Sequence, residues 1–501
     1  MAKVTSVPSR QTFDVMVIGS QVAGAVAGAL LAKRGLRVLA VEHGAGGQGY
    51  EEDRWLLPEG PSILPSLRPL HAVAKVLDEL GLTSDLGRVL VPLQPGLQIL
   101  APDARLDLLQ PGGARNAELT REFGETGQRF ADAIDTFLQA EEHNGSFFDG
   151  SLPLPAAGLL DRLRLRRYAV TRLSLTDPMT LLTPITHPLA RAMKELWRLS
   201  NNLVEEESLP EPNVVANPAR AALRPLAHAL RATYTLPGGT ASLASILRRR
   251  IETLGGALIS GEQAIVEELS ISRKGSSMRL VSSPNDYRAR VVVAATDSSA
   301  LRELIPAAAS QGRLTQSFDA VRVRSQLFTL NLVLGPGALP PGLGPAAVCL
   351  PQGSQRNLFV QLHPAVRDGK PVEGHCVLQM SQQVPSQILT LGDEGMTKLR
   401  AELRQSAEEF LPFLDRYLLL ESAPAMTQRP AGPPPRVHPR FEIARSRSLG
   451  ITGLSLRTPL RNLVRANREV LPGLGLEGEF LCGLRAAGLV ERMVHKADPL
   501  A

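Results

Sequence analysis

The segment from Phe13 to Glu42 constrains the fold more than any other part of the chain. Phe13 to Ile18 has the length and apolar character of a buried strand. Gly19 to Gln21 interrupts it, Val22 to Arg34 carries helix-forming residues, and Arg37 to Val41 reads as a second buried strand closed by Glu42. The uncharged run Val15 to Ala32, behind Lys3 and Arg10, has a rival reading as an export signal or membrane anchor. Asp14 at its front, Ser20 and Gln21 inside it, and glycines at Gly19, Gly24 and Gly28 favour β-α-β instead. Without another long apolar run, no transmembrane helix is predicted.

A β-α-β unit of this kind builds a phosphate site. The helix start presents unpaired N–H groups and the positive end of its dipole to an anion. An acid about twenty residues further on can accept hydrogen bonds from a ribose diol, and Glu42 stands where that role requires. Gly19-Ser20-Gln21-Val22-Ala23-Gly24 keeps the first and third glycines of G-x-G-x-x-G. Gln21 replaces the middle one, where glycine lets a pyrophosphate approach the backbone. Its side chain must either crowd the phosphates or hydrogen-bond to them. His43, beside Glu42, reads as a structural residue at a strand end.

Composition narrows the function classes. A chain of 501 residues is long enough for two large domains or three smaller ones, with full hydrophobic cores. Cys349, Cys376 and Cys482 are far apart and share no metal-ligand spacing, so a disulfide scaffold and a cysteine zinc site are both disfavoured. The net charge of +6 rests mainly on arginine. Without a nucleic-acid motif, this reflects base composition better than nucleic-acid binding. The nine histidines show no metal spacing, and neither a nucleophile elbow nor a Walker loop is present. No metal and no catalytic residue are assigned.

Further motifs extend the reading along the chain. Gly46-Gly47-Gln48 and Pro58-Glu59-Gly60-Pro61-Ser62 follow Glu42, and Tyr234-Thr235-Leu236-Pro237-Gly238-Gly239-Thr240 opens a helical stretch to Leu254. Val291 to Asp297 is a buried strand ending in small and polar residues, and Gly475 to Gly483 is a last glycine-rich block. Together these resemble the phytoene desaturase and carotenoid isomerase branch of the FAD-dependent amine-oxidase-like superfamily. That family has Gly-Gly-Arg after the ribose acid, then Asp-x-Gly-Pro-Ser beside the flavin, a valine near the adenine, and an acid after its last cofactor glycine. Here Gln48, Pro58-Glu59, Gln263 and Leu484 stand at those positions, and the terminal helix reads as short.

The resemblance implies an α/β fold, with a Rossmann-like FAD/NAD(P)-binding domain discontinuous in sequence (1–110, 236–325 and 446–501). An α+β substrate domain would take 111–235 and 326–445, with a helix over Thr120 to Glu142 and strands at Gln326 to Gly335 and His375 to Gln382. FAD is the implied cofactor, bound by Gly19, Ser20, Gln21, Val22, Ala23, Gly24, Glu42, His43, Gly47, Gln48, Gly60, Pro61, Ser62, Gln263, Ala295 and Gly483. The implied activity is a desaturase- or isomerase-type oxidoreductase acting on a hydrophobic, isoprenoid or polyene substrate. The departures at Gln21, Gln48, Gln263 and Leu484 keep open a second reading, a catalytically inactive scaffold or binding protein on the same fold. The expected location is cytoplasmic. Leu159 to Val170, which mixes leucine with arginine, reads either as a peripheral membrane contact or as a solvated face. The triple proline at Pro433 reads as a rigid connector rather than a docking motif.

Overall fold

Strand β1 (Thr12–Ile18), helix α1 (Val22–Lys33) and strand β2 (Val38–Val41) form the expected β-α-β unit. The computed structural model describes residues 12–43, 49–67, 70–156, 159–172, 187–203, 224–272, 275–306, 312–351, 356–388, 392–427, 437–444 and 451–496. Helix α2 (Gly239–Thr253) leads into β3 (Ala257–Ile259), which pairs in parallel with β2. On the other side of β1, Val15 to Ile18 lie in parallel register with Val291 to Ala294 of β4 (Ser283–Ala294). The short β5 (Leu463–Arg465) adds to the far side of β4, also in parallel. An antiparallel pair, Val266–Ser272 and Gly275–Leu280, completes this sheet of seven strands.

The apolar runs of β1, β2 and β4 suit strands covered on both faces. Helix α1 is buried from Val22 to Ala32, because α2 and the terminal helix α3 (Gly475–Lys496) flank it on the sheet. Its lack of a polar face is the signature of a helix enclosed on all sides. The parallel strands all end at one edge, and the turns beyond Ile18, Val41, Ala294 and Arg465 meet there. In doubly wound sheets this edge is where ligands bind.

The second domain is a ten-stranded sheet with helices against it. Its longest pairing joins Val321–Leu334 to Lys370–Pro385. The expected boundary at 110 requires correction. Strands Tyr50–Glu52 and Trp55–Leu57 join this second sheet, as does the hairpin Leu97–Ala101/Ala104–Leu108. Leu97 and Ile99 alternate inward to its core, which explains a membership that sequence position conceals. Thr120 to Glu142 lies inside helical residues Gly113–His143, which are broken at Gly124 by a φ of 58°. Cys349, Cys376 and Cys482 are free. Among the described residues, no helix is long and apolar enough to cross a membrane, and no cluster of three metal-ligating side chains occurs.

Candidate functional site: a self-filled dinucleotide cleft

The backbone of a phosphate-binding turn is present. Gly19 has a φ of +119°, and a Cβ on it would lie 2.3 Å from the Ala295 carbonyl oxygen, so no other residue fits. At Gly24, an added Cβ would meet the Ala295 Cβ at 2.0 Å. Ala295 thus backs the turn from the end of β4, and its carbonyl accepts the Gln21 N–H at 3.2 Å. These three residues bring α1 close to the sheet with its N-terminus facing the strand ends.

The side chains then close what the backbone opens. Gln21 Nε2 donates to Asp297 Oδ1 at 2.6 Å, and Gln21 Oε1 accepts the Arg468 backbone N–H at 2.8 Å. The Arg468 guanidinium holds Asp297 through two bonds of 3.2 and 2.9 Å. Glu479, one turn into α3, accepts the Ala23 N–H at 3.3 Å. That carboxylate therefore takes a free donor of the α1 N-terminus, the group that would otherwise meet a pyrophosphate. Burial pushes the Glu479 carboxyl above its usual range, while the Arg468 charge and the Ala23 N–H oppose the shift.

The ribose acid is also engaged. Arg248 of α2 donates from Nε to Glu42 Oε1 at 2.5 Å and from Nη1 to the Ser20 carbonyl at 2.8 Å. Deeper in the cleft, Glu469 accepts the Ser298 N–H at 3.0 Å and an Asn467 amide at 3.2 Å. Burial and the nearby Asp297 push its pKa up to about 7. A fully buried Glu at the strand edge is costly unless hydrogen-bonded, and this one has its donors.

This arrangement does not fit a bound FAD. A diphosphate at the start of α1 would compete with Glu479 for the Ala23 N–H and meet its negative charge. A ribose would have to displace Arg248 from Glu42. No chemical step is therefore derived through a flavin.

The other expected site residues fall out as follows. Ser62 is tied to the second domain: its N–H donates to Gln361 Oε1 at 2.9 Å, and its hydroxyl lies 3.0 Å from that of Thr235. Gly60 and Pro61 border a cavity described below. His43 accepts the Val266 N–H at Nδ1. Gln263 sits in the 3-10 turn Gly261–Ala264 after β3, and its carbonyl accepts the Ser282 hydroxyl. Gly47 and Gln48 lie outside the described residues.

Gly483 lies within α3, where an added Cβ would come 2.5 Å from the Ala23 carbonyl oxygen and 2.7 Å from Val26. Leu484 accordingly occupies no acid position, and the terminal helix runs 22 residues rather than being short. The strand ending beside the cleft is β5, followed by Asn467, Arg468 and Glu469. Sequence reasoning missed Arg468, Glu469, Glu479 and Arg248. The available signal was three consecutive polar residues, Asn467-Arg468-Glu469, just after an apolar strand.

A cavity of about 280 Å³ adjoins the cleft between the two domains. Pro58 to Pro61, Gly238 to Ala241 and Leu474 to Glu477 line one side, and Leu196, Leu199, Phe359 and His438 the other. His228 also lines it, is 4% exposed, and has no hydrogen-bond partner on either ring nitrogen. Burial and the charges of Arg224 and Arg231 hold its pKa well below the usual histidine value, so the ring is neutral near pH 7. Next to it, Arg224 clasps Glu477 through bonds of 2.6 and 2.9 Å. The cavity is thus lined mostly by apolar groups, with the unpaired neutral imidazole of His228 and the charged side chains of Glu59, Arg468, Glu477 and Glu479 also on its wall.

Comparison with known proteins agrees with this architecture. Residues 17–80 match the model of the NAD(P)-binding Rossmann-like domain. Putrescine oxidase bound to putrescine superposes with a TM-score of 0.57 at 15% identity, over 96% of this chain and 99% of that one. A protein from Pyrococcus furiosus gives 0.55 at 15% identity, over 95% and 97%. An oxidoreductase from Methanosarcina mazei gives 0.53 at 14%, over 94% and 99%. No curated protein matches the sequence. The fold is a discontinuous Rossmann-like domain with an α+β partner, and it is shared with putrescine oxidase over nearly the whole chain. At these identities the likeness concerns the fold alone.

Proposed function

We propose that the protein binds a small, mainly apolar organic molecule in the interdomain cavity, without FAD in its dinucleotide cleft. The observation that carries this reading is the pair of contacts at the start of α1. Glu479 caps Ala23, and Gln21 bridges Asp297 and Arg468, so the chain's own groups meet the needs a diphosphate would meet. The cavity, at about 280 Å³, lies just below the ~300–1,000 Å³ typical of small-molecule sites, which suits a compact ligand better than a long polyene. The free nitrogens of neutral His228 favour a ligand bearing a hydroxyl, which can donate to one atom and accept from another. The test is thermal shift with p-cresol on the wild type and on Ala229→Phe, whose larger ring fills the cavity. Stabilisation of the wild type alone supports the reading, whereas equal stabilisation of both variants counts against it.

A second reading is an FAD-dependent oxidoreductase acting on a small hydrophobic substrate. It is favoured by a fold shared with putrescine oxidase over nearly the whole chain. An isoprenoid or polyene substrate belongs to this reading and rests on the Gly60-Pro61-Ser62 and Gly238-Gly239 motifs. It requires Glu479, Gln21 and Arg248 to leave their partners together. In either reading, peripheral contact with an anionic membrane is supported by the helix Leu159–Arg172. There Leu159, Leu160 and Leu163 are exposed beside Arg162 and Arg164. Co-sedimentation with phosphatidylserine vesicles, compared with phosphatidylcholine ones, tests this contact.

A further inference from the structure

A second opening, separate from the dinucleotide cleft and the cavity, lies between the helix Arg313–Asp319, residues 452–459 and the start of the helix Leu159–Arg172. It encloses about 1020 Å³. Arg162, Arg313, Arg457 and Arg465 reach its wall, together with the hydroxyls of Ser317 and Ser455. Asp319 is the one acid lining it among the described residues, and it already pairs with Arg302. None of the four arginines has a carboxylate within ion-pair distance among the described residues.

Arg465 is the unusual member. Its side chain is 1% exposed, yet its hydrogen bonds reach only neutral groups, and its guanidinium carbon lies 5.8 Å from the centre of the Phe318 ring. Nη2 donates to Ser317 Oγ at 2.6 Å, Nη1 reaches the Ser455 carbonyl at 3.5 Å, and Nε has no partner. A guanidinium removed from water without an ion-paired carboxylate is unfavourable; burial lowers its pKa, and the charge of Glu469, beyond ion-pair distance, opposes that shift only in part. An anion entering the opening would supply the missing charge and a bond to Nε. Guanidinium groups match the oxygens of phosphate in planar, two-point geometry, and the Ser455 hydroxyl, which accepts from the Arg457 N–H, can donate to the same oxygens.

We infer that this opening is a binding site for a small multivalent oxyanion of the diphosphate type, with Arg465 at its floor and Arg313, Arg457 and Arg162 at its mouth. The site is independent of what occupies the interdomain cavity.

The test is calorimetric titration of the full-length protein with inorganic pyrophosphate, with citrate as the carboxylate alternative. Arg313→Glu/Arg457→Glu is compared with Lys370→Glu/Lys398→Glu, an exposed pair with the same change in net charge. The expected result is one pyrophosphate per chain in the wild type and in the lysine variant. In the arginine variant affinity should fall roughly tenfold or more at an unchanged melting temperature. Tighter binding of citrate than of pyrophosphate would overturn the diphosphate assignment. Absence of saturable binding, or equal losses in both double variants, would overturn the site itself.

Discussion

Replacing Glu479 with alanine separates the two jobs this carboxylate combines, capping α1 and excluding an anion. The variant loses one charge-assisted hydrogen bond to the Ala23 N–H and a favourable position at the helix start. Such contacts contribute about 1.5–3 and about 0.3–1 kcal/mol respectively. Burial of the carboxyl works against both, since it holds the Glu479 pKa up. The net loss should therefore be modest, about 1–2 kcal/mol of unfolding free energy. The gain in anion affinity is larger. A unit negative charge about 4 Å from a phosphate oxygen costs about 4 kcal/mol at an effective dielectric constant near 20. Even a third of that, left after screening by solvent and by Arg468, is about tenfold in affinity. Fluorescence titration with FAD should therefore show weak or undetectable binding to the wild type and at least tenfold tighter binding to Glu479→Ala. Chemical denaturation should show the small stability loss. Equal FAD affinity in the two proteins, or a gain in stability, would refute the view that Glu479 stands in for the diphosphate.

Two further outcomes follow from the same network. Gly483→Ala should destabilise the protein by about 1–3 kcal/mol, because its methyl group would press into the Ala23 carbonyl and Val26 where α1 and α3 touch; differential scanning calorimetry measures this. Glu469 has a folded-state pKa of about 7, above the ~4.5 of a free glutamate, so the native state binds the extra proton between those values. Its contribution to stability is then fully present below about pH 4.5 and lost as the pH rises through about 7. Glu469→Gln should flatten the pH dependence of unfolding between pH 5 and 8 by up to about 3 kcal/mol, and an unchanged slope would contradict the assignment.

The β-α-β unit was legible because its signals are local. An apolar run, a glycine turn and a second run lie within thirty or so residues, and the backbone constraints at Gly19 and Gly24 arise there. The closing of the cleft was not legible, because each lock joins residues far apart in sequence. Gln21 meets Arg468 and Ala23 meets Glu479 only once α3 and β5 return to the first helix. The glycine-rich block Gly475 to Gly483 forms a helix despite its low helix propensity, because its glycines let α3 approach α1 and neighbouring backbone closely. Tertiary packing overrode local preference there. Arginine was likewise illegible: composition says nothing of position, whereas Arg248 and Arg465 are buried and Arg248 and Arg468 are tied to the cleft through Glu42 and Asp297.

The most direct test of the account is the visible absorption spectrum of the freshly purified protein, repeated after incubation with excess FAD and desalting. The account expects no flavin bands in either spectrum, the cleft being held by Gln21, Asp297, Arg468 and Glu479. Flavin retained at near-unit stoichiometry would contradict it and establish the oxidoreductase reading in its place.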